Sequence, residues 1–427
     1  MNDEQTYRKT SLANGIRVVT ERVPHVRSAS IGLWVGTGSS HEAAAQRGIS
    51  HCIEHMLFKG TRTRSDRKIA EEMDSIGGHM NAFTDKETTC YHARVVDEHA
   101  RFSLELIADM FRNSTFDPAE LRKEQQVILE EIRMYDDAPD ELSHDLFIRS
   151  VWAGSPLGEP TIGYAETVST ITRDSIRDFL EAAYTPSNVV VAAAGNVWHD
   201  EFTGWVQQQL GDMPARAPGS DPAPPDFRAT TVIKHKDCEQ VYLLLGAEGV
   251  SARDERRYAY SVLDTIVGGG MASRLFHEIR SKRGLAYNVY SAHHSYRAGG
   301  LLTIAAGTGP KTAVEVVAVI REEVAKLVAD GVSDEEVVRA KEHLKGGLLL
   351  SLESTSTRML RLGHTELNIG RNISAAEAIA SIEAVTKRQV DELARAEFQR
   401  GRLALTVLGP VDERFGADAD AALARSA

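Results

Sequence analysis

The most informative stretch of the chain reads Gly48-Ile49-Ser50-His51-Cys52-Ile53-Glu54-His55-Met56-Leu57-Phe58-Lys59-Gly60. Read as a helix at about 100° per residue, it places its apolar side chains on one side and its His-x-x-Glu-His group on the other. His51 and His55 are then one turn apart, so both imidazoles can bind a single metal ion. Glu54 shares their face and is placed to act on a water at that metal. Gly60 is placed to end the helix in a left-handed conformation.

This motif is the reverse of His-Glu-x-x-His and matches the pattern of inverted zinc hydrolases. The alternative interpretation is two surface histidines beside a glutamate. That alternative would not require the motif to lie on one face of an amphipathic helix. The arrangement therefore favours a metal site. Cys52 lies within the motif but would point between the two faces of the helix, which favours a buried thiol over a metal ligand.

A zinc site with two histidine ligands needs a third protein ligand, which leaves one position for water. The sequence Asp117-Pro118-Ala119-Glu120 predicts a helix start, with Asp as the cap and Pro as the first helical residue. That helix is expected to run to about Tyr135 and to carry Glu124 and Glu131 on one face, two turns apart. Glu131 is the predicted third ligand and Glu130 the alternative. The competing interpretation of these carboxylates is a solvated acidic face.

Composition indicates a globular protein, with 42% hydrophobic and 26% charged residues in 427, a length that favours two domains. The net charge of −12 argues against nucleic acid and anionic membranes as partners and is compatible with a basic substrate. Three cysteines without a spaced framework indicate reduced thiols. The polar N-terminus resembles neither a signal nor a transit peptide, and the run from Val189 to Ala194 is too short to span a bilayer. The expected location is the cytoplasm.

The first half predicts an alternation of strands and helices. Asn14-Gly15 predicts a tight turn between two strands. Further predicted elements are strands at 28–35, 79–84, 88–96 and 188–195, and helices at 65–76, 100–111 and 176–183. A proline-rich stretch at 214–226 predicts a linker between a metal-binding domain at 1–213 and a second domain at 227–427.

The second half repeats the first in outline. Glu120 and Glu336 are 216 residues apart, and Gly195 and Gly409 are 214 apart, each within a similar local sequence. This nearly constant offset predicts a duplicated α+β domain, with helices packed on a mixed or antiparallel sheet. The second copy lacks His-x-x-Glu-His and has Gly347 at the position of Glu131, so a second metal site is not expected.

A triple glycine at 268–270 precedes a predicted helix in the second half. Such a loop can bind phosphate at a helix N-terminus, but the Lys-Ser/Thr ending of a phosphate loop is missing. A flexible loop that contacts a peptide is the favoured interpretation.

These residues together resemble the pitrilysin/insulinase family of inverted-motif zinc metallopeptidases, and within it the mitochondrial processing peptidase β subunit and its short bacterial relatives. The resemblance covers nearly the whole chain and implies one zinc ion per chain. It implies the following roles: His51, His55 and Glu131 as metal ligands; Glu54 and Glu124 as the catalytic acidic residues, with Glu54 the general base and Glu124 a supporting group; Asn81, Ala82 and Phe83 as the edge strand that pairs with substrate; and Arg280 and Tyr287 as further substrate contacts. Cys52 is a small departure, since relatives more often carry an apolar or aromatic residue there.

The resemblance also implies an assembly and an activity. Two similar α+β domains would form half of a clamshell, with two chains enclosing a chamber. The expected activity is that of a zinc endopeptidase acting on unfolded or extended peptides, without nucleic-acid or membrane partners. A homodimer is expected, and a heterodimer with a related chain is possible. The alternative function is a non-catalytic structural or partner subunit of a heterodimeric peptidase, which the complete ligand set disfavours.

Overall fold

The structure is a computed structural model that describes residues 6–217, 219, 221–399, 402–412, 415 and 417. In chain order, the elements of the first half are β1 (Tyr7–Ser11), β2 (Arg17–Arg22), β3 (Ser28–Val35), α1 (Ile49–Leu57), α2 (Asp66–Ser75), β4 (His79–Thr84), β5 (Thr89–Val96), α3 (Ala100–Asn113), α4 (Pro118–Asp137), α5 (Pro139–Val151), α6 (Ala165–Val168), α7 (Arg173–Ala183), β6 (Val189–Gly195) and α8 (His199–Leu210). Those of the second half are β7 (Thr231–His235), β8 (Val241–Gly249), α9 (Arg257–Val267), a π-helix (Phe276–Lys282), β9 (Ala286–Ser295), β10 (Gly300–Thr308), α10 (Ala313–Asp330), α11 (Asp334–Ser351), α12 (Thr355–Asn368), α13 (Ala375–Ala384), α14 (Lys387–Glu397) and β11 (Ala404–Gly409).

The first compact unit is built on a mixed sheet whose described strands have the order β1-β2-β6-β3-β5-β4. β2 and β6 are parallel, and the other neighbours are antiparallel. The β1–β2 hairpin turns at Gly15, whose φ of 100° is the left-handed value that the Asn-Gly turn predicted. β4 lies at the edge of the sheet, and this position leaves one side of its backbone without a strand neighbour among the described residues.

The second compact unit repeats this arrangement, with the order β7-β11-β8-β10-β9. β7 and β11 are parallel, as β2 and β6 are, and the remaining pairs are antiparallel. β9 is therefore the counterpart of β4 at the sheet edge. β6 and β11 both end in a glycine with positive φ, Gly195 at 124° and Gly409 at 156°. The predicted fold class, a duplicated α+β domain, is confirmed.

The two units are not two continuous halves of the chain. The first contains the chain up to Ile132, from Glu159 to Pro222 and from Leu349 to Ala375; the second contains Arg133–Gly158, Ala223–Leu348 and the chain from Ala376 onward. The main boundary falls inside the predicted linker at 214–226, which has no helix or strand in its described residues. Pro218 and Ser220 of that linker lie outside the described residues.

Two helices account for the difference from the predicted domain bounds of 1–213 and 227–427. α12, from the second half, buries Met359 and Leu362 against Trp34 on the first sheet. α5, from the first half, buries Phe147 and Val151 against the second sheet. Each sheet is thus covered on one face by a helix from the other half of the chain. An amphipathic helix shows in sequence that it has an apolar face, but not which sheet that face covers.

Most local predictions for the first half are confirmed. The strand at 28–35 and the hairpin of β4 and β5 have the expected bounds to within one residue. The hydroxyl oxygen of Ser65 caps α2 by accepting from the backbone N–H of Lys68 at 3.2 Å. α4 begins at Pro118 as predicted and runs to Asp137, two residues beyond the expected end. Among the described residues, no helix combines the length and the low polarity required to cross a lipid bilayer.

Candidate metal centre

α1 carries the His-x-x-Glu-His motif on an amphipathic helix, as the sequence predicted. Its apolar residues that are less than 2% exposed face the core of the first unit: Ile49, Cys52, Ile53, Met56 and Leu57. His51, Glu54 and His55 are only partly buried and share the opposite side. Gly60 follows the helix with a φ of 109°, the left-handed value expected for a terminating glycine.

A buried glutamate that sequence reasoning missed fixes the start of α1. The two carboxylate oxygens of Glu42 accept the backbone N–H groups of Gly48 and Ser50, each at 2.8 Å. These N–H groups belong to the first turn of the helix, where they have no partner within the helix itself. Burial raises the pKa of Glu42 to about 7, while the two backbone hydrogen bonds and Arg47 oppose that rise. Glu42 therefore anchors the N-terminal end of the helix that carries the motif.

α4 places its acidic residues opposite the motif. Leu121 and Ile128 are buried in the core, and the side-chain amide of Gln125 donates to the carbonyl oxygens of Val168 and Ile171 at 2.8 and 3.0 Å. These contacts fix the rotation of the helix about its axis. Glu124 and Glu131 then project from the same face, two turns apart.

Three of the predicted ligands converge. The Oε2 atom of Glu131 lies 3.8 Å from Nε2 of His51 and 3.7 Å from Nε2 of His55. One ligand atom from each of the three residues lies within 4.8 Å of the others. Zinc ligands at about 2.1 Å in a tetrahedron lie roughly 3.4 Å apart, so small side-chain movements would bring the set to a metal. Glu130, the alternative ligand, is exposed and does not belong to this group.

The charge state of His51 suits a metal ligand. Burial, with a smaller contribution from His55, lowers the pKa of His51 to about 4. The imidazole is therefore neutral at physiological pH, and a neutral imidazole has the lone pair that a metal binds. Two imidazole nitrogens with one carboxylate oxygen form the donor set of a catalytic zinc site. The residues present thus fit the metal that the sequence predicted.

Glu124 contacts the candidate ligand His55 on the side of its ring that faces away from Glu131. Its Oε2 atom lies 3.1 Å from Nδ1 of His55, and its Oε1 atom lies 2.7 Å from Nζ of Lys59. Its side chain is only 7% exposed. The resemblance placed Glu124 with Glu54 among the catalytic acidic residues; in the structure its carboxylate contacts Nδ1 of His55. The contact with Lys59 was not foreseen.

Glu54 lies beside the ligand group on the same helix. Burial raises its pKa; the Thr84 hydroxyl and His55 lower it, and Glu131 adds to the rise. A carboxylate in this position can accept a proton from water and return it. Thr84 is the last residue of β4, so the candidate base lies next to the edge strand.

β4 contains the predicted substrate-pairing residues. Asn81 is exposed, and its Oδ1 atom accepts the backbone N–H of Ala82 at 2.9 Å. Phe83 packs edge-to-face on Trp34, with ring centroids 5.5 Å apart. A cavity of about 460 Å³ opens beside the start of β4, with Met73 and Met80 among its apolar walls.

Arg280 and Tyr287 lie together in the second unit. The Arg280 guanidinium lies over the Tyr287 ring at 4.4 Å and over the Phe276 ring at 4.9 Å. Tyr287 is 78% exposed and belongs to β9, the edge strand that corresponds to β4. Arg280 lies in the π-helix that stands where an ordinary helix was predicted. Single-turn π-helices are frequent at functional sites.

Comparison with known proteins gives the family. Residues 17–164 match the model of insulinase (peptidase family M16), and residues 170–344 match the model of the peptidase M16 inactive domain. The uncharacterized zinc protease YmxG of Bacillus subtilis is 45% identical over 93% of this chain and 97% of its own length. The chain belongs to the M16 peptidase family. An uncharacterized zinc protease of Mycobacterium leprae is 41% identical over 94% of this chain and 91% of its own length.

Two solved structures share the fold. A peptidase M16 inactive domain from Pseudomonas fluorescens superposes with a TM-score of 0.89 at 21% identity, covering 95% of this chain and 98% of that one. A protease from Helicobacter pylori gives 0.87 at 21% identity, covering 95% and 99%. The segment that matches the M16 inactive domain is 170–344. It contains no His-x-x-Glu-His motif, and its described residues contain no group of three possible metal ligands.

Proposed function

We propose that this M16 protein is a zinc-dependent endopeptidase that hydrolyses peptide bonds in unfolded or extended peptides. The observation that carries the proposal is the convergence of Nε2 of His51, Nε2 of His55 and Oε2 of Glu131, with Glu54 on the same helix face. The relatives named zinc protease support it.

The proposed roles follow from the positions of the side chains. His51, His55 and Glu131 would hold the metal, and Glu124 would orient His55. A bound zinc ion would supply a Lewis acid that activates water and polarises the carbonyl of the bond to be cleaved. Glu54 would accept the proton of the attacking water and return it to the leaving amine.

Substrate binding is proposed at β4. An extended peptide that adds to this sheet edge would be held by main-chain hydrogen bonds, which place little demand on its sequence. The cavity at the start of β4 would accommodate one of its side chains, with Phe58 and Met73 in the wall and Asp66 and Asp74 among the lining residues. Lys59 and Arg67 also line the cavity and balance the two aspartates, so its apolar walls suit an apolar side chain.

The decisive experiment is cleavage of a mixed peptide library, read by mass spectrometry, with metal content measured on the same sample. We expect about one zinc per chain and cleavage at internal bonds, with both lost after chelation and restored by zinc. A protein that takes up zinc in stoichiometric amounts and leaves every peptide intact would favour the alternative, a non-catalytic partner subunit.

A further inference from the structure

We propose that Lys59 is a positioning residue of the metal site. It holds the carboxylate of Glu124, and Glu124 in turn fixes the imidazole of His55. This inference rests on the zinc site proposed above, and it assigns a role to a residue that contacts none of the three ligand atoms.

The geometry places one carboxylate between two side chains of the same segment. Nζ of Lys59 lies 2.7 Å from Oε1 of Glu124, and Nδ1 of His55 lies 3.1 Å from Oε2. Lys59 follows His55 by four residues, and its backbone N–H donates to the Met56 carbonyl oxygen, so the chain is still turning beyond the end of α1. Contacts to both oxygens fix the position and the plane of the carboxylate.

Burial explains why Glu124 needs this partner. Its side chain is 7% exposed, whereas that of Lys59 is 29% exposed. A carboxylate removed this far from water is stable only when charged or hydrogen-bonding groups replace the lost solvent. Among the lysine and arginine side chains that the structure describes, that of Lys59 forms an ion pair with Glu124. Without Lys59, the carboxylate would gain by turning toward solvent and away from His55.

The contact with Glu124 determines which nitrogen of His55 faces the metal position. When Nδ1 carries the proton and donates it to Glu124, Nε2 has its lone pair free toward Glu131. Nδ1 of His51 is buried and has no hydrogen-bond partner within the described part of the chain. Within the described part of the chain, the Nδ1 atom of His55 thus has a side-chain partner and that of His51 has none, so the contact through which Lys59 can act on the ligands is the one with His55.

A second lysine provides a matched control. Nζ of Lys9 lies 2.7 Å from Oε1 of Glu366, and the two side chains are 33% and 2% exposed. This pair thus has the distance and nearly the burial of the Lys59–Glu124 pair. Lys9 belongs to β1, at the edge of the same sheet opposite to β4. Glu366 also contacts Arg17 at 3.4 Å, so Lys9→Met controls for the loss of a paired lysine in the same unit at a carboxylate that does not contact the proposed ligands.

The test measures zinc affinity by competition with a chromogenic chelator, together with the melting temperature of each metal-free protein. The variants are Lys59→Met, Lys59→Arg, Glu124→Gln, the double variant Lys59→Met/Glu124→Gln, and Lys9→Met; Lys59→Gln replaces Lys59→Met if the latter does not fold. We expect Lys59→Met to weaken zinc binding about tenfold, since partners of ligating side chains contribute about 10- to 100-fold. Lys59→Arg should recover most of this loss, and Lys9→Met should bind zinc as the wild type does.

The double variant shows whether Lys59 acts through Glu124. If it does, the double variant binds zinc no more weakly than Glu124→Gln, within about twofold. Multiplied losses in the double variant, unchanged affinity in Lys59→Met, or an equal loss in Lys9→Met would each overturn the proposal. A wild-type protein that binds no zinc would overturn the metal site as well, whereas zinc binding without peptide cleavage would overturn only the proposed peptidase activity.

Discussion

The imidazole of His55 lies between two carboxylates of α4: Nδ1 is 3.1 Å from Glu124 and Nε2 is 3.7 Å from Glu131. One helix thus supplies both a candidate ligand and a carboxylate that contacts the imidazole of a second candidate ligand. Because Glu124 and Glu131 are two turns apart on α4, their spacing is set by the helix and not by a loop. The geometry of the site therefore depends on how α1 and α4 are anchored, by Glu42 and Gln125 respectively.

The third ligand can be tested with two adjacent glutamates. Glu131→Gln should lower zinc affinity and peptidase activity together, each by at least about a hundredfold, because one of the three proposed zinc ligands is lost. Glu130→Gln changes the neighbouring exposed side chain and should retain both properties within about twofold. Zinc competition and peptide turnover measure the two effects. A larger loss in Glu130→Gln than in Glu131→Gln would show that Glu130, and not Glu131, is the third ligand.

Glu54 is expected to transfer protons without binding the metal. Glu54→Gln should keep about one zinc per chain while lowering kcat by roughly a hundredfold or more, since the amide cannot accept the proton of the attacking water. His51→Ala should lose both zinc and activity. Metal analysis and single-turnover kinetics separate the two outcomes. Turnover by Glu54→Gln at the wild-type rate would show that another group is the base.

Much of the site could be predicted because its decisive features are local in sequence. His51, Glu54 and His55 fall within one helical turn, where the 3.6-residue period fixes their common face. Glu131 lies 76 residues after His55, and the helix pattern alone left Glu130 as an alternative to it. The resemblance to a family supported Glu131, since no local rule connects two helices so far apart in the chain. The strand–turn signals of the first half were local as well.

The features that sequence reasoning missed depend on tertiary contacts. The ion pair of Lys59 with Glu124 joins the end of α1 to the middle of α4, and Glu42 reaches the start of α1 from a preceding loop. Likewise, nothing in the sequence of α12 indicates that it covers the sheet of the first unit. In each case the partner is set by packing between elements and not by the periodicity of either one.

The packing of α12 on the first sheet predicts opposite effects for two helical glycines. A Cβ atom on Gly363 would overlap the indole of Trp34, whereas one on Gly346 of α11 would meet no atom within 4 Å. Gly363→Ala should destabilise the protein by about 1–3 kcal/mol through overpacking. Gly346→Ala should stabilise it by up to about 1 kcal/mol through helix propensity. Denaturant unfolding measures both, and stabilisation by Gly363→Ala would contradict the close contact with Trp34.

The buried carboxyl of Glu42 predicts a dependence of stability on pH. Burial raises its pKa from 4.5 to about 7, so the folded state holds this proton more tightly than the unfolded chain does. The contribution of the group to stability is therefore fully present below about pH 4.5 and is lost as the pH rises through 7. Glu42→Gln cannot ionise but keeps an oxygen that accepts one of the two backbone N–H groups.

The measurement compares unfolding free energies of wild type and Glu42→Gln between pH 5 and pH 8. Relative to the wild type, the variant should gain up to about 3 kcal/mol with rising pH, a value that follows from the size of the pKa shift. Other titrating groups are common to both proteins and cancel in the difference. Parallel pH profiles would show that Glu42 titrates alike in the folded and unfolded chains.

The last prediction concerns assembly, which we propose to be a homodimer with sites completed by the second copy. Arg280 and Tyr287 belong to the second unit and the candidate ligands to the first. Two inactive variants, His51→Ala and Arg280→Ala/Tyr287→Ala, are mixed so that subunits exchange. With random exchange half of the dimers are mixed, and each mixed dimer has one site with intact ligands from one chain and an intact Arg/Tyr pair from the other.

About a quarter of the wild-type activity should then return, because the other site of each mixed dimer carries both defects and the unmixed dimers stay inactive. If Arg280 and Tyr287 served the site of their own chain, every site in the mixture would retain one defect and no activity would return. Subunits with two different affinity tags establish that exchange has occurred. Absence of recovery despite co-purification of both tags would thus exclude the shared site, and a monomer by sedimentation would exclude the dimer itself.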